Sequence, residues 1–385
     1  MAAQTEQPRR LAYVDGLRAL AALYVVMSHL NPTYAQSVPS EPPALLAWLN
    51  AFTYGHAAVS VFIVISGFSL ALPVARAGWR IPGGTWRFYG RRARRIIPPY
   101  YIALTLSVAL GVTALSERHQ AWLELAQPAI LHAILLHLTL VQDFSLPYDL
   151  PTINRVFWSI ALECQIYVLF PALLLLWRRY HPAFAAGATL IASLILLLAL
   201  VPTWIGRLPG YGVDTVDPLY IGLFGLGMLA AWLTQQTLGQ RAIRAYATLS
   251  IGGLLIIVIA MALGVTPIVL IDPLIGITMV GVLLIPPRVG TLRAALEWRP
   301  LVWIGGFSYS LYLIHVLALQ FVWRYGIQPL HLTSSAAYLV YPAYLGAGLL
   351  TSILTGWGFS RLFERPFMSQ RIQRRPDGSV LKEAR

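Results

Sequence analysis

Charged residues are scarce in this 385-residue chain, where Asp, Glu, Lys and Arg together make up 11%. Soluble domains carry about 25%. Hydrophobic residues make up 57%, and the mean hydropathy is +0.66. This composition predicts an all-α, polytopic bundle of membrane helices. Nothing outside the apolar runs is long enough for a soluble domain, so we expect one integral-membrane domain over 1–385, with its core over about 11–362.

Lysine and cysteine are almost missing. Lys382 is the one lysine, so nearly all of the net charge of +13 comes from arginine. Cys164 is the one cysteine, which excludes an internal disulfide and a cysteine-rich metal site, and no metal site is predicted. The arginines cluster in short segments between apolar runs, as they do in cytoplasmic loops. We therefore expect these basic segments to face the lipid bilayer, and we expect no nucleic-acid partner.

Ten apolar runs have the length of membrane helices. They fall near 11–30, 53–75, 97–115, 157–177, 184–202, 218–234, 246–264, 267–286, 301–323 and 336–361. Residues 128–141 form a shorter apolar run, predicted to be re-entrant or interfacial. Because basic segments alternate with these runs, we expect a multi-pass protein of the cytoplasmic membrane with both termini in the cytoplasm, including a basic tail at 363–385.

The first run, 11–30, carries Asp15, Arg18 and His29. Ionisable groups are costly inside a membrane, so these favour an uncleaved functional helix over a signal peptide. Arg18 and His29 are eleven residues apart, about 16 Å along a helix and about three turns around it, so they share a side. The alternative is that Arg18 reaches one interface and His29 marks the other. Asp15 is expected to pair with Arg18, because buried charges need partners.

The segment 76–95 holds seven arginines and is the strongest positive-inside signal in the chain. Arg92 and Arg95 are one helical turn apart and share a helix face. Two interpretations remain open at this point. The segment either sets topology and binds lipid headgroups, or it clamps phosphate groups with forked guanidinium donors.

Glu163 lies inside the run 157–177, and an intramembrane carboxylate is a functional hypothesis by default. The alternating direction of the runs predicts that His29 and Glu163 lie near the outer face and His315 at middle to outer depth. The arginines are predicted to lie at the inner side. In the second run, Gly67 favours close helix packing.

Five segments resemble, in order, motifs of the membrane-bound acyltransferase-3 family, which includes O-antigen, exopolysaccharide, peptidoglycan-related and macrolide O-acylating enzymes. The segments are DGLRALAALYVVMSHL, VFIVISGFSLAL, FYGRRARRIIPPYY, FWSIALECQIYVLFP and IGGFSYSLYLIH. The residues that carry the resemblance are Arg18 and His29 with ten residues between, Arg92 and Arg95, then Trp158, Ser159, Glu163, Tyr167 and Pro171, and finally His315. Elsewhere the chain matches the family only in hydropathy.

The resemblance implies transfer of an acyl group, commonly acetyl, from cytoplasmic acyl-CoA to a hydroxyl of a carbohydrate or related acceptor. Acyl-CoA is then a co-substrate, and no permanently bound cofactor is expected. Arg92 and Arg95 are expected to hold the CoA phosphates by charge-assisted bonds. Arg18 is expected to guide the pantetheine arm, whose length is comparable to the separation between Arg18 and His29.

His29 is the expected general base, because an imidazole with an ordinary pKa near 6.5 accepts a hydroxyl proton at neutral pH. Glu163 is expected to meet His29 and orient it. Direct transfer is simpler than a covalent acyl-histidine. The supporting or acceptor-side positions are Asp15, Ser66, Trp158, Ser159, Tyr167, Tyr309 and His315. For Tyr309 and His315, a packing role is equally compatible with the pattern.

Two other functions fit the composition. One is a transporter or flippase for a lipid-linked or amphiphilic solute, with His29 and Glu163 as a proton relay. The sequence has no internal repeat, which weighs against it. The other is a non-catalytic membrane scaffold. Turnover of an acyl-CoA thioester distinguishes the enzyme from both.

Overall fold

The structure is a computed structural model of the chain. It describes residues 11–35, 52, 54–115, 125–144, 153–203, 217–264, 268–330, 334–368, 372–374 and 380–382. All statements below concern these residues. Residues 36–51, between the first two predicted runs, and most of the predicted tail lie outside them.

The described residues are almost entirely helical. The α-helices are α1 Ala12–Ala35, α2 Gly55–Arg76, α3 Thr85–Gly111, α4 Pro128–Thr139, α5 Trp158–Arg179, α6 Pro182–Thr203, α7 Leu219–Leu233, α8 Gln240–Ala262, α9 Ile268–Leu284, α10 Gly290–Leu296, α11 Arg299–Gly305, α12 Ser308–Val322 and α13 Ser334–Phe359. Near the C-terminus, β1 Ile372–Arg374 pairs antiparallel with β2 Val380–Lys382. Each of the ten predicted runs falls on helix, so the positions of the helices are confirmed.

Five helical stretches are long and apolar enough to cross a membrane. They are Gly55–Arg76, Arg155–Arg179, Pro182–Leu200, Gln240–Ala262 and Val269–Arg288. A bent pair adds a sixth if it is one span. This is a multi-pass membrane architecture, but the predicted count of about ten spans is not confirmed. The helices α1, α3 and α13 are not among these five stretches, although they have 24, 27 and 26 residues.

The run 301–323, predicted as one span, is broken. Arg299–Gly305 and the helical segment Ser308–Leu330 meet at a bend of 79°. The helix α11 packs closely against α1. A Cβ added at Gly305 would come within 1.9 Å of the Asp15 carbonyl oxygen, so α11 lies directly against α1. The predicted short segment 128–141 is the twelve-residue helix α4, which ends at Leu140 in the left-handed conformation. At about 1.5 Å per residue, α4 is too short to cross a bilayer.

The helix α2 lies at the centre of the bundle, with 72% of its apolar stretch buried against 22% for α8. Gly67 and Gly227 allow α2 and α7 to approach closely. A Cβ added at Gly67 would lie 2.1 Å from Phe224 O, and one at Gly227 would lie 2.1 Å from Val64 O. The predicted packing role of Gly67 is confirmed. The apolar side chains that α8 exposes are suited to lipid contact.

The connection into α5 is buried in the bundle. Asn154 accepts a hydrogen bond from Val156 N at 3.2 Å, and its side chain donates to Leu313 O at 3.2 Å. Phe157, the residue before α5, is fully buried. The helix α5 therefore begins inside the protein, which determines the depth of Glu163.

Candidate active site

A cavity of about 260 Å³ lies between five helices, α1, α2, α3, α5 and α12. Its lining residues are Arg18, Val59, Phe62, Ile63, Ser66, Ser69, Leu70, Arg92, Arg95, Ile96, Ser159, Ile160, Glu163, Tyr167, Ser308, Tyr309 and Tyr312. On α2 the lining runs from Val59 to Leu70. Eleven residues correspond to about 16 Å along the helix axis, so the cavity extends for about this length beside α2.

At one end of the cavity, which we call the arginine end, Arg18 is held on both sides. It donates to Asp15 Oδ1 at 3.1 Å and to Ser69 Oγ at 2.8 Å. Asp15 is buried. The predicted pairing of Asp15 with Arg18 is therefore present, and it fixes the position of the Arg18 guanidinium.

Arg92 and Arg95 line the same end from α3, as their spacing predicts. Neither forms a hydrogen bond or salt bridge with any residue that the structure describes, and Arg92 Nε is buried without a hydrogen-bond partner. Each guanidinium has five N–H donors in a rigid fork. The arginine end thus presents two cations whose donors are available to an anionic ligand.

Glu163 lies beside this end in a small hydrogen-bonded group. Ser66 Oγ donates to Glu163 Oε1 at 3.1 Å, and Tyr167 Oη donates a short hydrogen bond to the same oxygen. The hydroxyls of Ser66 and Tyr167 are 2.6 Å apart. Ser66 is one turn from Ser69, which bonds Arg18. Glu163 is therefore level with the arginines, whereas the sequence predicted that it lies at the same depth as His29.

The opposite end of the cavity is lined by uncharged hydroxyls. Ser159 Oγ and Tyr312 Oη are 2.6 Å apart, and Tyr312 Oη donates to Val156 O at 3.1 Å. Tyr309 Oη donates to Ile96 O at 2.9 Å, between the two ends. These contacts hold the predicted positions Ser159 and Tyr309 in the cavity wall.

Trp158 is the one predicted supporting residue on α5 that does not line the cavity. Its ring packs against the ring of Tyr220, with centroids 5.9 Å apart. In the structure it serves the contact between α5 and α7.

His29 lies just beyond this hydroxyl end. A Cβ added at Gly55 would lie 4.0 Å from His29 Cε1, so His29 is level with the start of α2. Gly55 is four residues, about 6 Å, from Val59 at the end of the cavity lining, and eleven residues, about 16 Å, from Ser66. His29 is half-buried, and its side chain forms no hydrogen bond with Glu163. The prediction that His29 and Glu163 meet is wrong.

His29 instead meets His315. Their Nδ1 and Nε2 atoms are 3.3 Å apart, and the rings pack edge to face with centroids 5.0 Å apart. His29 Nδ1 lies 2.9 Å from Val25 O, and His315 Nδ1 lies 2.8 Å from Tyr312 O. The two rings, which we call the histidine pair, bring together two predicted site residues from α1 and α12.

A second buried polar group, on α2 and α9, was not predicted from the sequence. Ser60 Oγ donates to Asp272 Oδ1 at 3.0 Å, and His56 Nε2 lies 3.6 Å from the same atom. Asp272 is fully buried. The signal was available, because Asp272 is an ionisable residue within an apolar run. This contact ties the start of α2, which is next to His29, to α9.

A family model described as an acyltransferase domain, that of acyltransferase-3, matches residues 11–361. The chain therefore belongs to the acyltransferase-3 family, and the resemblance of its five motifs is confirmed.

Several curated proteins are similar to this chain. Peptidoglycan O-acetyltransferase OatA of Listeria monocytogenes is 25% identical over 323 residues, which cover 78% of this chain and 48% of that protein. The putative peptidoglycan O-acetyltransferase YrhL of Bacillus subtilis is 25% identical, covering 81% and 49%. O-acetyltransferase OatA of Staphylococcus aureus is 25% identical, covering 83% and 52%. The chain thus spans about half the length of these relatives. No solved structure shows significant similarity to it.

Proposed function

We propose that this protein is an O-acyltransferase that moves an acyl group, with acetyl preferred, from cytoplasmic acyl-CoA to a hydroxyl of a carbohydrate or related acceptor near the outer membrane face. Membership of the acyltransferase-3 family and the names of the O-acetyltransferase relatives support the reaction. The names of two relatives favour a glycan of the cell envelope as the acceptor.

The observation that carries the proposal is the shape and charge of the cavity. Arg92 and Arg95 offer unpaired donors at one end, and the lining then runs about 16 Å along α2 toward His29. Coenzyme A is anionic at its nucleotide end and thin along its pantetheine arm. The arginines would bind the phosphates by bidentate bonds, which Arg geometry favours. The arm would lie along the cavity, so that the thioester is presented beside the histidine pair.

In this proposal His29 is the general base. It accepts the proton of the acceptor hydroxyl while the hydroxyl oxygen forms a bond to the thioester carbonyl carbon. The C–S bond then breaks, and the proton passes from His29 to the departing sulfur. The products are the ester and free CoA thiol, so no net proton is released and no further reactant is needed.

Glu163 takes a different role from the one that the sequence predicted. Its hydrogen bonds to Ser66 and Tyr167 lie at the arginine end. There the carboxylate balances part of the positive charge and holds two hydroxyls in the wall of the donor site. It is a positioning residue for donor binding, and Asp15 acts likewise on Arg18.

The topology that we propose has ten spans, with both termini and the arginine segment 76–95 in the cytoplasm. The distribution of arginine supports it. The lengths of α1, α3 and α13 are sufficient, and the broken α11–α12 pair counts as one span. In this orientation the arginine end opens toward cytoplasmic acyl-CoA and the histidine pair lies toward the outer face.

The test is donor binding and turnover by the purified full-length protein. We expect CoA to bind in isothermal titration, and ¹⁴C-acetyl-CoA to transfer label to a soluble peptidoglycan fragment with stoichiometric release of CoA. A transporter or scaffold would release no CoA thiol. Absence of CoA binding by a protein shown to be folded would overturn the proposal.

A further inference from the structure

The exposed face of α5 changes from apolar to basic within one turn. Val168 and Leu175 are 64% and 63% exposed, and their spacing of seven residues puts them on one face of the helix. Arg178 and Arg179 lie three and four residues beyond Leu175, so they continue this face, and both are exposed. Such a change marks the boundary between the hydrocarbon of a membrane and its headgroups.

The turn between α2 and α3, residues 77–84, is held at this boundary. The Trp79 ring stacks on the Trp177 ring with centroids 5.4 Å apart, and Arg178 Nε donates to Trp79 O at 2.8 Å. Trp79 has φ 62°, which is unfavourable for a bulky residue, so these two contacts stabilise a backbone conformation that the residue alone would not prefer. The turn therefore lies level with the end of α5.

Two arginines of α3 fold back over this turn. Arg91 Nη2 donates to Pro82 O at 3.2 Å. A Cβ added at Gly83 would lie 3.4 Å from Arg87 Cδ and 3.6 Å from Arg91 Nη1. Both side chains point toward the start of the helix, as helical side chains do. They therefore reach the membrane boundary, whereas the other arginine pair of α3 lines the cavity.

The positive charge at this level has no local compensation. The exposed arginines here, which we call the boundary arginines, are Arg80, Arg87, Arg91, Arg178 and Arg179. None of them forms a salt bridge with a residue that the structure describes. The segments 76–95 and 172–181 contain no Asp or Glu. Because like charges repel, this cluster favours an anionic partner.

We propose that the boundary arginines bind the phosphate headgroups of anionic phospholipids in the adjacent leaflet. A soluble anion would meet the same charges, but only a lipid would also cover the apolar face of α5 next to them. Trp86, which is 85% exposed beside Arg87, suits the same interface, where indole rings are common.

This inference goes beyond the proposed function, because it requires neither acyl-CoA nor acyl transfer. The two interpretations of the arginine segment then belong to two sets of side chains. The cavity pair, Arg92 and Arg95, serves the donor, and the boundary arginines serve the lipid.

The test is the lipid selectivity of the full-length protein in vesicles made of equal parts of phosphatidylglycerol and phosphatidylcholine. Electron paramagnetic resonance with a spin-labelled form of each lipid gives the ratio of their association constants. We expect the wild type to prefer phosphatidylglycerol, and the preference to weaken as salt is added. The variants Arg87→Gln with Arg91→Gln, and Arg178→Gln with Arg179→Gln, should lower the ratio by up to about fivefold for each arginine removed.

Two further variants make the test specific. Arg87→Lys with Arg91→Lys should keep most of the preference, because headgroups are attracted by the charge and lysine retains it. The matched control is Arg293→Gln with Glu297→Gln. It removes an exposed arginine whose charge is balanced by a salt bridge of 2.9 Å, so the lipid preference should stay at the wild-type value.

The affinity for CoA, measured on the same proteins, distinguishes this surface from the donor site. We expect every boundary variant to bind CoA as the wild type does. Unchanged lipid selectivity in both glutamine variants, or an equal loss in the lysine variant, would overturn the inference and leave the proposed function intact. Weaker CoA binding with unchanged lipid selectivity would assign these arginines to the donor site instead. A wild type that prefers phosphatidylglycerol but binds no CoA would overturn the proposed function alone.

Discussion

The two ends of the cavity differ in how their polar groups are satisfied. At the arginine end, Arg92 and Arg95 have no hydrogen-bonding partner among the described residues. At the other end, His29 Nδ1 and His315 Nδ1 each lie against a backbone carbonyl oxygen, and His315 Nε2 lies 3.3 Å from His29 Nδ1. One end keeps donors available for a ligand, whereas at the other end the two rings are held by short contacts to the backbone and to each other.

This difference assigns donor binding to the arginine end and the chemical step to the histidine pair. Charged groups with unused donors suit a large anionic ligand, because their bonds to phosphate are charge-assisted. A base needs a defined lone pair in a defined direction, and preorganisation supplies it. The arrangement predicts that variants at the arginine end change donor affinity and that variants at the histidine pair change turnover.

The largest effect is expected at His29. His29→Ala should lower kcat for acetyl transfer by about 10²- to 10⁴-fold, because general-base help is lost. CoA affinity should be unchanged, since His29 is about 16 Å from the level of Arg18. Radiolabel transfer and titration calorimetry measure the two quantities. A loss of CoA binding with unchanged kcat would contradict the separation of the two ends.

The next effect is expected at the arginine end. Arg92→Ala and Arg95→Ala should each weaken CoA binding, since a hydrogen bond to a charged group contributes about 1.5–3 kcal/mol. Arg→Lys should restore only part of the affinity because the forked geometry is lost. Arg94 is exposed on the same helix and does not line the cavity, so Arg94→Ala is the matched control. Wild-type affinity in the double alanine variant would leave this segment with a topogenic role alone.

A smaller effect is expected at Glu163. Glu163→Gln and Tyr167→Phe should each change CoA affinity, and the pair should be non-additive because the two side chains share a hydrogen bond. Coupling energies between groups in contact are about 0.5–3 kcal/mol. Glu163→Gln and His29→Ala should be additive in the same binding assay. Coupling of Glu163 to His29 instead would favour the arrangement that the sequence predicted.

The last prediction concerns the orientation of the two ends and involves no change in activity. Single cysteines at Ser40 and Thr215, in a Cys164→Ser background, should react with an impermeant maleimide added outside intact cells. A cysteine at the exposed Trp86 should react only after permeabilisation. With both termini in the cytoplasm, the proposed topology places the segment between runs 11–30 and 53–75, which holds Ser40, and the segment between runs 184–202 and 218–234, which holds Thr215, outside. Trp86 lies in the arginine segment. The reverse pattern would place the arginine end outside.

Much of the fold could be predicted from the sequence, because apolar runs of fixed length specify helices. The short helix α4, the pairing of Asp15 with Arg18 and the packing role of Gly67 also follow from local patterns. The 79° break before α12 was not predicted, and neither was the close approach of Gly305 to Asp15, because residues 290 positions apart share no local pattern.

The sequence predicted most of the residues of the site, but it did not predict which of them contact each other. Arg92 and Arg95 share one cavity because helical spacing puts them on one face. The level of Glu163 relative to His29 was mispredicted, because the buried connection through Asn154 and Phe157 starts α5 inside the bundle. The histidine pair joins residues 286 positions apart, and no local pattern specifies that contact.

The central claim is that one cavity leads an acyl-CoA from the arginine end to His29. The most direct measurement is a cryo-electron microscopy map of the full-length protein with a non-hydrolysable thioether analogue of acetyl-CoA. The account predicts phosphate density at Arg92 and Arg95, with the acetyl end beyond Val59 and beside His29. Phosphates bound away from these arginines, or an acetyl end that remains at Glu163, would contradict it.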